Sequence, residues 1–297
     1  MITEIIQNKD EVLRKRIYPN LIFNRFDLWF GVNNYELYDL GDFVVPVKTM
    51  LSPDNKVYLE IGLYLTVLPK ALLDELFSFL FQRYPQAKHI RVMHSYTKIA
   101  NAEPYPYWHI DLPSTKEEFD KNLSSRVRYN TKWYPKKLHK DVGNYEIKHF
   151  LRAEITPEIV ARYIELKQVT HPDFSWSGQL LDYLNVDGIT DGYVLYVAGE
   201  IKAIAFTSNT GENVMFCATT YDTSLRKYSI GNILYYHIIC DLIDQGKKKF
   251  YLSGGWMDYK KYFNGILTYT FKALIPNPNT KQHKKFICFC KRLFRCT

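Results

Sequence analysis

Residues 192–222 read GYVLYVAGEIKAIAFTSNTGENVMFCATTYD, and residues 225–246 continue as LRKYSIGNILYYHIICDLIDQG. In the first stretch, β-branched and aromatic residues form three blocks divided at Gly199-Glu200 and at Thr210 to Asn213, the pattern of three antiparallel strands joined by tight turns. In the second, a basic turn and one glycine precede about four helical turns of apolar and aromatic side chains. A helix that begins directly after a glycine leaves its first N–H groups bare, so it either meets an anion or packs into the core. Its surroundings decide between the two. Downstream, KKFYLSGG reads as a strand, MDYKKYFNG as a short helix and LTYTFKALI as a last strand; upstream, TPEIVARYIELKQVTH reads as a helix entered through Pro157.

The first half of the chain alternates in the same way. DFVVPVKTML and VYLEIGLYLTVL are strand-like and separated by the turn residues SPDNK. Leu72, Leu73, Leu76, Phe77 and Leu80 then recur at helical spacing between Pro69 and Pro85, and HIRVMHS comes next as a strand. After YWHIDLP, Ser114 with Glu117 forms a capping box that opens a long basic helix, which Pro135 is expected to break or kink. YEIKHFLR closes this half as a strand. No repeat with a period of about 20–50 residues is present.

A chain of 297 residues with 46% hydrophobic and 24% charged residues can bury a large core and is globular rather than disordered. The formal charge of +8 favours an anionic partner: a phosphate-bearing cofactor, nucleic acid or an acidic membrane surface. Much of that charge sits in Arg126 to Lys140 and in Lys281 to Arg295. MITEIIQNKDEVLRKR lacks the apolar run of a signal peptide, and no apolar run is long enough for a transmembrane helix, so a cytoplasmic protein is expected. Cys217 and Cys240 read as buried thiols; the spacing of His283 with Cys288, Cys290 and Cys296 matches no common zinc site, and no metal is expected.

The order helix, three strands, helix, strand, helix, strand resembles the GCN5-related acyltransferase (GNAT) fold, with RKYSIGN at the place of the acyl-CoA pyrophosphate loop. The loop departs from the family pattern in its spacing and lacks the second glycine. More specifically, three marks in order resemble the two-domain subgroup of cellulose-biosynthesis acetyltransferases and the Fem-type aminoacyltransferases: the basic helix within YWHIDLPSTKEEFDKNLSSRVRYNTKWYPKKL, the loop and helix YSIGNILYYHIICDLIDQG, and FYLSGGWMDYKKYF. The resemblance implies an α/β (α+β) chain of two packed GNAT-like domains, each a mixed, mostly antiparallel sheet flanked by helices. It assigns residues 1–150 to the first domain, 151–276 to the acyl-CoA-binding domain and 277–297 to a basic amphipathic tail. It also implies direct attack of an amine or hydroxyl on the thioester of acetyl-CoA or another acyl-CoA, with the main chain of Arg226, Lys227, Tyr228, Ser229, Ile230, Gly231 and Asn232 around the pyrophosphate.

Such a transfer needs a base, an oxyanion donor and a proton source for the leaving thiolate. Tyr259 either falls where the fold often supplies that last donor or is one more packing ring among 24 tyrosines. Asp222, just ahead of the loop, is either a base or a turn cap, and His171 is either a titrating group of the site or a charge at a helix C-terminus. Arg126, Arg128 and Trp133 on the basic helix, with Lys260, are candidates for holding an anionic acceptor such as a nucleotide sugar or a lipid-linked saccharide. Two other readings of the chain stand beside acyl transfer in surface-polysaccharide synthesis. One is aminoacyl transfer from tRNA to a peptidoglycan precursor, although the chain has no room for the coiled-coil insertion those enzymes often carry. The other is a non-enzymatic module for nucleic acid or membrane. In any of these the basic tail is either a contact for the inner face of the membrane, which would set the protein beside lipid-linked acceptors, or a disordered segment or last helix packed on the domain.

Overall fold

The structure, a computed structural model, describes residues 2–5, 35–61, 67–172, 189–255 and 259–279. The chain divides into two compact units, residues 1–106 with 269–297 and residues 107–268. The first begins with strands β1 (Thr3–Ile5), β2 (Glu36–Asp39), β3 (Val44–Leu51) and β4 (Val57–Ile61), each antiparallel to the one before. Helix α1 (Lys70–Arg83) then crosses to β5 (His89–Ser95), which pairs parallel with β4. A helix is the connection that a parallel pair requires. The apolar spacing seen in the sequence is the buried stripe of α1: Leu73, Leu76, Phe77 and Leu80 cluster with Leu59, Ile61, Ile90 and Val92.

The second unit starts within β6 (Glu103–Asp111) and continues through α2 (Lys116–Asn122), α3 (Ser125–Asp141), β7 (Tyr145–Leu151) and α4 (Pro157–Thr170). Then come β8 (Asp191–Val197), β9 (Glu200–Thr210), β10 (Asn213–Tyr221), a 3-10 turn (Thr223–Tyr228) and α5 (Ile230–Asp244). β11 (Lys249–Gly254), the short α6 (Tyr259–Tyr262) and β12 (Ile266–Pro276) complete it, although β12 from residue 269 onward belongs to the first unit, where it pairs antiparallel with β5. Strand order in the second unit is β6-β11-β10-β9-β8-β7. Its one parallel pair, β10 with β11, is again bridged by a helix, α5. Each unit is thus a mostly antiparallel sheet with a single β-helix-β crossover among its described residues, the relationship between halves that the sequence hinted at.

Alternation along β8 and β9 assigns the two faces. Tyr193, Leu195, Ala203 and Ala205 join α5 in one cluster, while Val194, Ile204 and Phe206 pack with Ile159 and Tyr163 of α4 in another. The hairpin between these strands turns through Ala198 and Gly199, both at positive φ, one residue earlier than the sequence reading and as a two-residue hairpin with right-handed twist demands.

Three expectations change. The units part at 106/107 and 268/269 rather than at 150/151, because α3 packs on α5 and β7 pairs with β8, which ties residues 107–150 to the strands and helix of residues 191–244. The cap of α2 is Thr115, accepting from Glu118 N, not Ser114. The basic helix breaks at Leu123-Ser124, where Ser124 accepts from Val127 N and starts α3, and it then runs through Pro135 without ending. The tail, 277–297, lies outside the described residues after Asn279, as do His283 and the last three cysteines.

Candidate active site

β10 and β11 share a register only over Asn213–Met215 and Lys249–Tyr251. Beyond it, β10 runs on to Tyr221 and β11 to Gly254 without pairing to each other, and β10 carries an irregularity between Phe216 and Ala218. An extra residue in one strand bends it and turns it away from its neighbour. A cleft of about 570 Å³ sits on this diverging stretch, lined by Phe216 and Thr219 to Tyr221 of β10, by Lys167, Thr170 and His171 of α4, and by Arg226 and the first turns of α5.

The start of α5 is unusual. Its cap, Ser229, is left-handed (φ 50°, ψ 41°) and makes no side-chain cap bond, whereas an ordinary cap is extended and uses its hydroxyl. Ser229 O receives the amides of Asn232 and Ile233, and Ser229 N bonds to Arg226 O. The amides of Ile230 and Gly231 find no acceptor among the described residues, and the helix dipole adds to their pull on an anion. Deeper in the cleft, the Thr220 hydroxyl is buried, 3% exposed, and has no hydrogen-bond partner among the described residues. Such an orphan costs about 1–3 kcal/mol, which a bound ligand can recover.

A family model for the acetyltransferase (GNAT) domain matches residues 125–261. Residues 125–261 are thus similar to a GNAT domain. The matched segment carries an acyltransferase domain, and no curated protein sequence matches the chain. The fold extends further than the matched domain. FemX aligns with a TM-score of 0.67 at 9% identity over 93% of this chain and 98% of that one. The C-terminal domain of a protein described as a lysylphosphatidylglycerol synthetase from Agrobacterium fabrum gives 0.64 at 10% over 89% and 90%. A tandem GNAT protein from the clavulanic acid biosynthesis pathway gives 0.51 at 12% over 94% and 99%. These likenesses establish the fold alone: over most of its length the chain shares the architecture of these proteins.

Against the GNAT frame, the residues expected from sequence separate into groups. Arg226, Ser229, Ile230, Gly231 and Asn232 line the cleft together with His171. Lys227 and Tyr228 turn elsewhere: Tyr228 is buried, with the amines of Lys227 and Lys137 over its ring, so it anchors the loop to α3. Asp222 caps the 3-10 turn through Ser224 N and pairs with Lys202 at 3.1 Å. Partial burial works to raise its pKa, but the Ser224 and Lys202 bonds outweigh that and hold it below the usual carboxylate range. It does not line the cleft and is a poor base. His171 bonds Thr170 Oγ1 through Nδ1 at 2.9 Å, and partial burial with the nearby Lys167 charge lowers its pKa, leaving a neutral imidazole at physiological pH.

Lys260 is buried and donates to the carbonyls of Ser253 and Gly254; burial pushes its pKa down to about 8. It fastens α6 to the end of β11 rather than facing the cleft. The side chain of Tyr259 lies outside the described residues. Arg126, Arg128 and Trp133 are exposed on α3 and do not line this cleft. A second cleft, about 620 Å³, lies between α3 and α5 and is lined by Tyr134, Tyr236 and His237 among others.

Lys167 and Thr220 escaped the sequence reading. Lys167 is only 9% exposed and donates to Thr219 O at 3.0 Å, and burial lowers its pKa. A lysine in the last turn of an amphipathic helix, and one threonine of a TT pair in a strand, carry no local signal of a site. Both acquire meaning only when α4 packs on β10.

Proposed function

We propose that the chain transfers an acyl group, acetyl in the first instance, from acyl-CoA directly to an amine or hydroxyl of an acceptor. The acceptor class is a sugar in the synthesis of a surface polysaccharide, free or lipid-linked. The observation that carries the donor half is the pair of bare amides at Ile230 and Gly231, which open on the same cleft as the orphan Thr220 hydroxyl.

The residues present fit a diphosphate donor. Two free N–H groups at a helix start and the Arg226 guanidinium suit its charge. A Cβ at Gly231 would sit 3.4 Å from the Tyr221 ring, so the glycine keeps that approach narrow but open. The β10 edge beyond Met215 is unpaired toward β11; Phe216 O and Thr219 O accept from Ser253 Oγ and Lys167 Nζ, and the rest of the edge could meet an extended, amide-bearing arm. Bound acyl-CoA would supply an activated thioester. His171, neutral and on the cleft wall, would take the acceptor's proton.

This reading puts the enzyme in the cytoplasm, at the inner face of the membrane where lipid-linked precursors are made. Among the described residues, no helix is long and apolar enough to cross a membrane. The test is thermal unfolding with CoA, acetyl-CoA and longer acyl-CoAs, followed by assay of free thiol release with amino sugars. Ligand that binds only the folded state raises its stability. A shift with acyl-CoA is expected; a shift with aminoacyl-tRNA and none with any CoA would replace this reading with the Fem-type one.

A further inference from the structure

Helix α3 carries six Lys or Arg residues and a single acid, Asp141. At about 100° per residue, Arg126, Tyr129, Lys132, Trp133, Lys136 and Lys140 fall within an arc of about 120°, with Asp141 outside it. All six are exposed, Tyr129 by 62% and Trp133 by 36%. Arg126, Lys132, Lys136 and Lys140 form no ion pair among the described residues, where Lys116, Lys202 and Lys249 each have one. The strip is therefore an uncompensated row of cations roughly 21 Å long with two aromatic rings along its middle. It lines neither the active-site cleft nor the cleft between α3 and α5, which argues against a small anionic substrate as its occupant.

We propose that this face of α3 docks the protein on an anionic phospholipid surface. Lys and Arg side chains reach headgroup phosphates along the flanks, and Tyr and Trp rings settle at the boundary of headgroup and acyl chain, which is where rings with one polar edge are most stable. RNA would satisfy the same charges, but the Trp133 ring is already engaged. Tyr129, one turn before, stacks with it at 6.5 Å and 23°, and Lys137, one turn after, holds its ammonium 4.7 Å from the ring centroid. A base-stacking platform needs a free ring face, whereas an interfacial anchor needs an exposed edge. The proposal does not depend on which donor the cleft takes.

The experiment is co-sedimentation of the full chain, basic tail included, with phosphatidylcholine vesicles with and without phosphatidylglycerol. Binding to the anionic vesicles alone is expected, falling with salt. Lys132→Glu with Lys136→Glu should lower partitioning about tenfold or more, and Tyr129→Ser with Trp133→Ser should lower it several-fold even at high salt. Both variants should keep the wild-type melting temperature. Unchanged partitioning of both would overturn the proposal and leave the tail as the membrane contact. Tighter binding to bulk tRNA than to vesicles, lost on the same substitutions, would overturn it in favour of RNA.

Discussion

His149 Nε2 lies 2.8 Å from Asp191 Oδ1, across the pair formed by β7 and β8. The same ring stacks on Tyr193 at 4.5 Å and 2°, and its Nδ1 is 3.5 Å from Asp241 of α5. The Asp191 bond is the largest of the effects that raise the His149 pKa, with the charges of Asp241 and Glu154 adding smaller ones; burial opposes them. A folded-state pKa above the unfolded value of about 6.5 means the stabilisation is complete below that pH and is lost as pH rises through the folded value. Histidines with lowered pKa values, such as His109 and His237, contribute the opposite slope, so the comparison must be with a variant. His149→Gln is expected to cost about 1 kcal/mol below pH 6.5 and progressively less above it, measured by urea denaturation across that range.

The bare amides predict how the loop fails. Gly231→Glu puts a carboxylate where an anion should sit, and it can do so without wrecking the fold, because the nearest atoms to a Cβ there are those of the Tyr221 ring at ordinary contact distance. The stabilisation by acyl-CoA, about 2.7 kcal/mol when the ligand is at a hundred times its Kd, should vanish. The melting temperature without ligand should change little. A variant that keeps the full ligand shift would remove the loop from the donor site.

His171 and Asp222 make opposite predictions although sequence offers both as a base. His171→Gln should lower kcat by about 10²–10⁴ while the acyl-CoA thermal shift persists, and it should abolish the acidic limb that wild type shows below its lowered pKa. Asp222→Ala removes a cap acceptor and the Lys202 partner, so it should cost about 1 kcal/mol of stability with kcat nearly unchanged. Rate measurements on both, with unfolding curves alongside, distinguish a chemical role from a structural one.

Local patterns carried most of the element order. Leu73, Leu76, Phe77 and Leu80 announce α1, and the blocks around Gly199 and Gly211 announce β8, β9 and β10, because each depends on periodicity within a few residues. What the sequence hid is pairing over long separations. β12 crosses back to β5, so a late strand completes the early unit, and no shift in composition marks residue 106 or 268. The loop at Arg226–Asn232 was legible as a candidate anion site from its glycine and charges. Its left-handed cap at Ser229 was not, since nothing in SIGN distinguishes a serine that caps from one that does not.

Pro135 shows the same limit inside one element. A proline ordinarily ends a helix because it has no N–H for the carbonyl four residues back and its ring crowds that turn, at a cost of about 3 kcal/mol. Here α3 continues for six residues beyond it, held by Leu138, which is fully buried against α5 and the sheet. Tertiary packing has overridden the local signal, and the missing bond to Thr131 O remains. Pro135→Ala restores a donor for that carbonyl, while the more flexible unfolded chain takes back about 0.4–1 kcal/mol. The variant is expected to be more stable by about 1 kcal/mol, read as a higher denaturant midpoint at unchanged m-value. A lower midpoint would mean that the ring of Pro135, which lines the cleft between α3 and α5, contributes packing that outweighs the recovered bond.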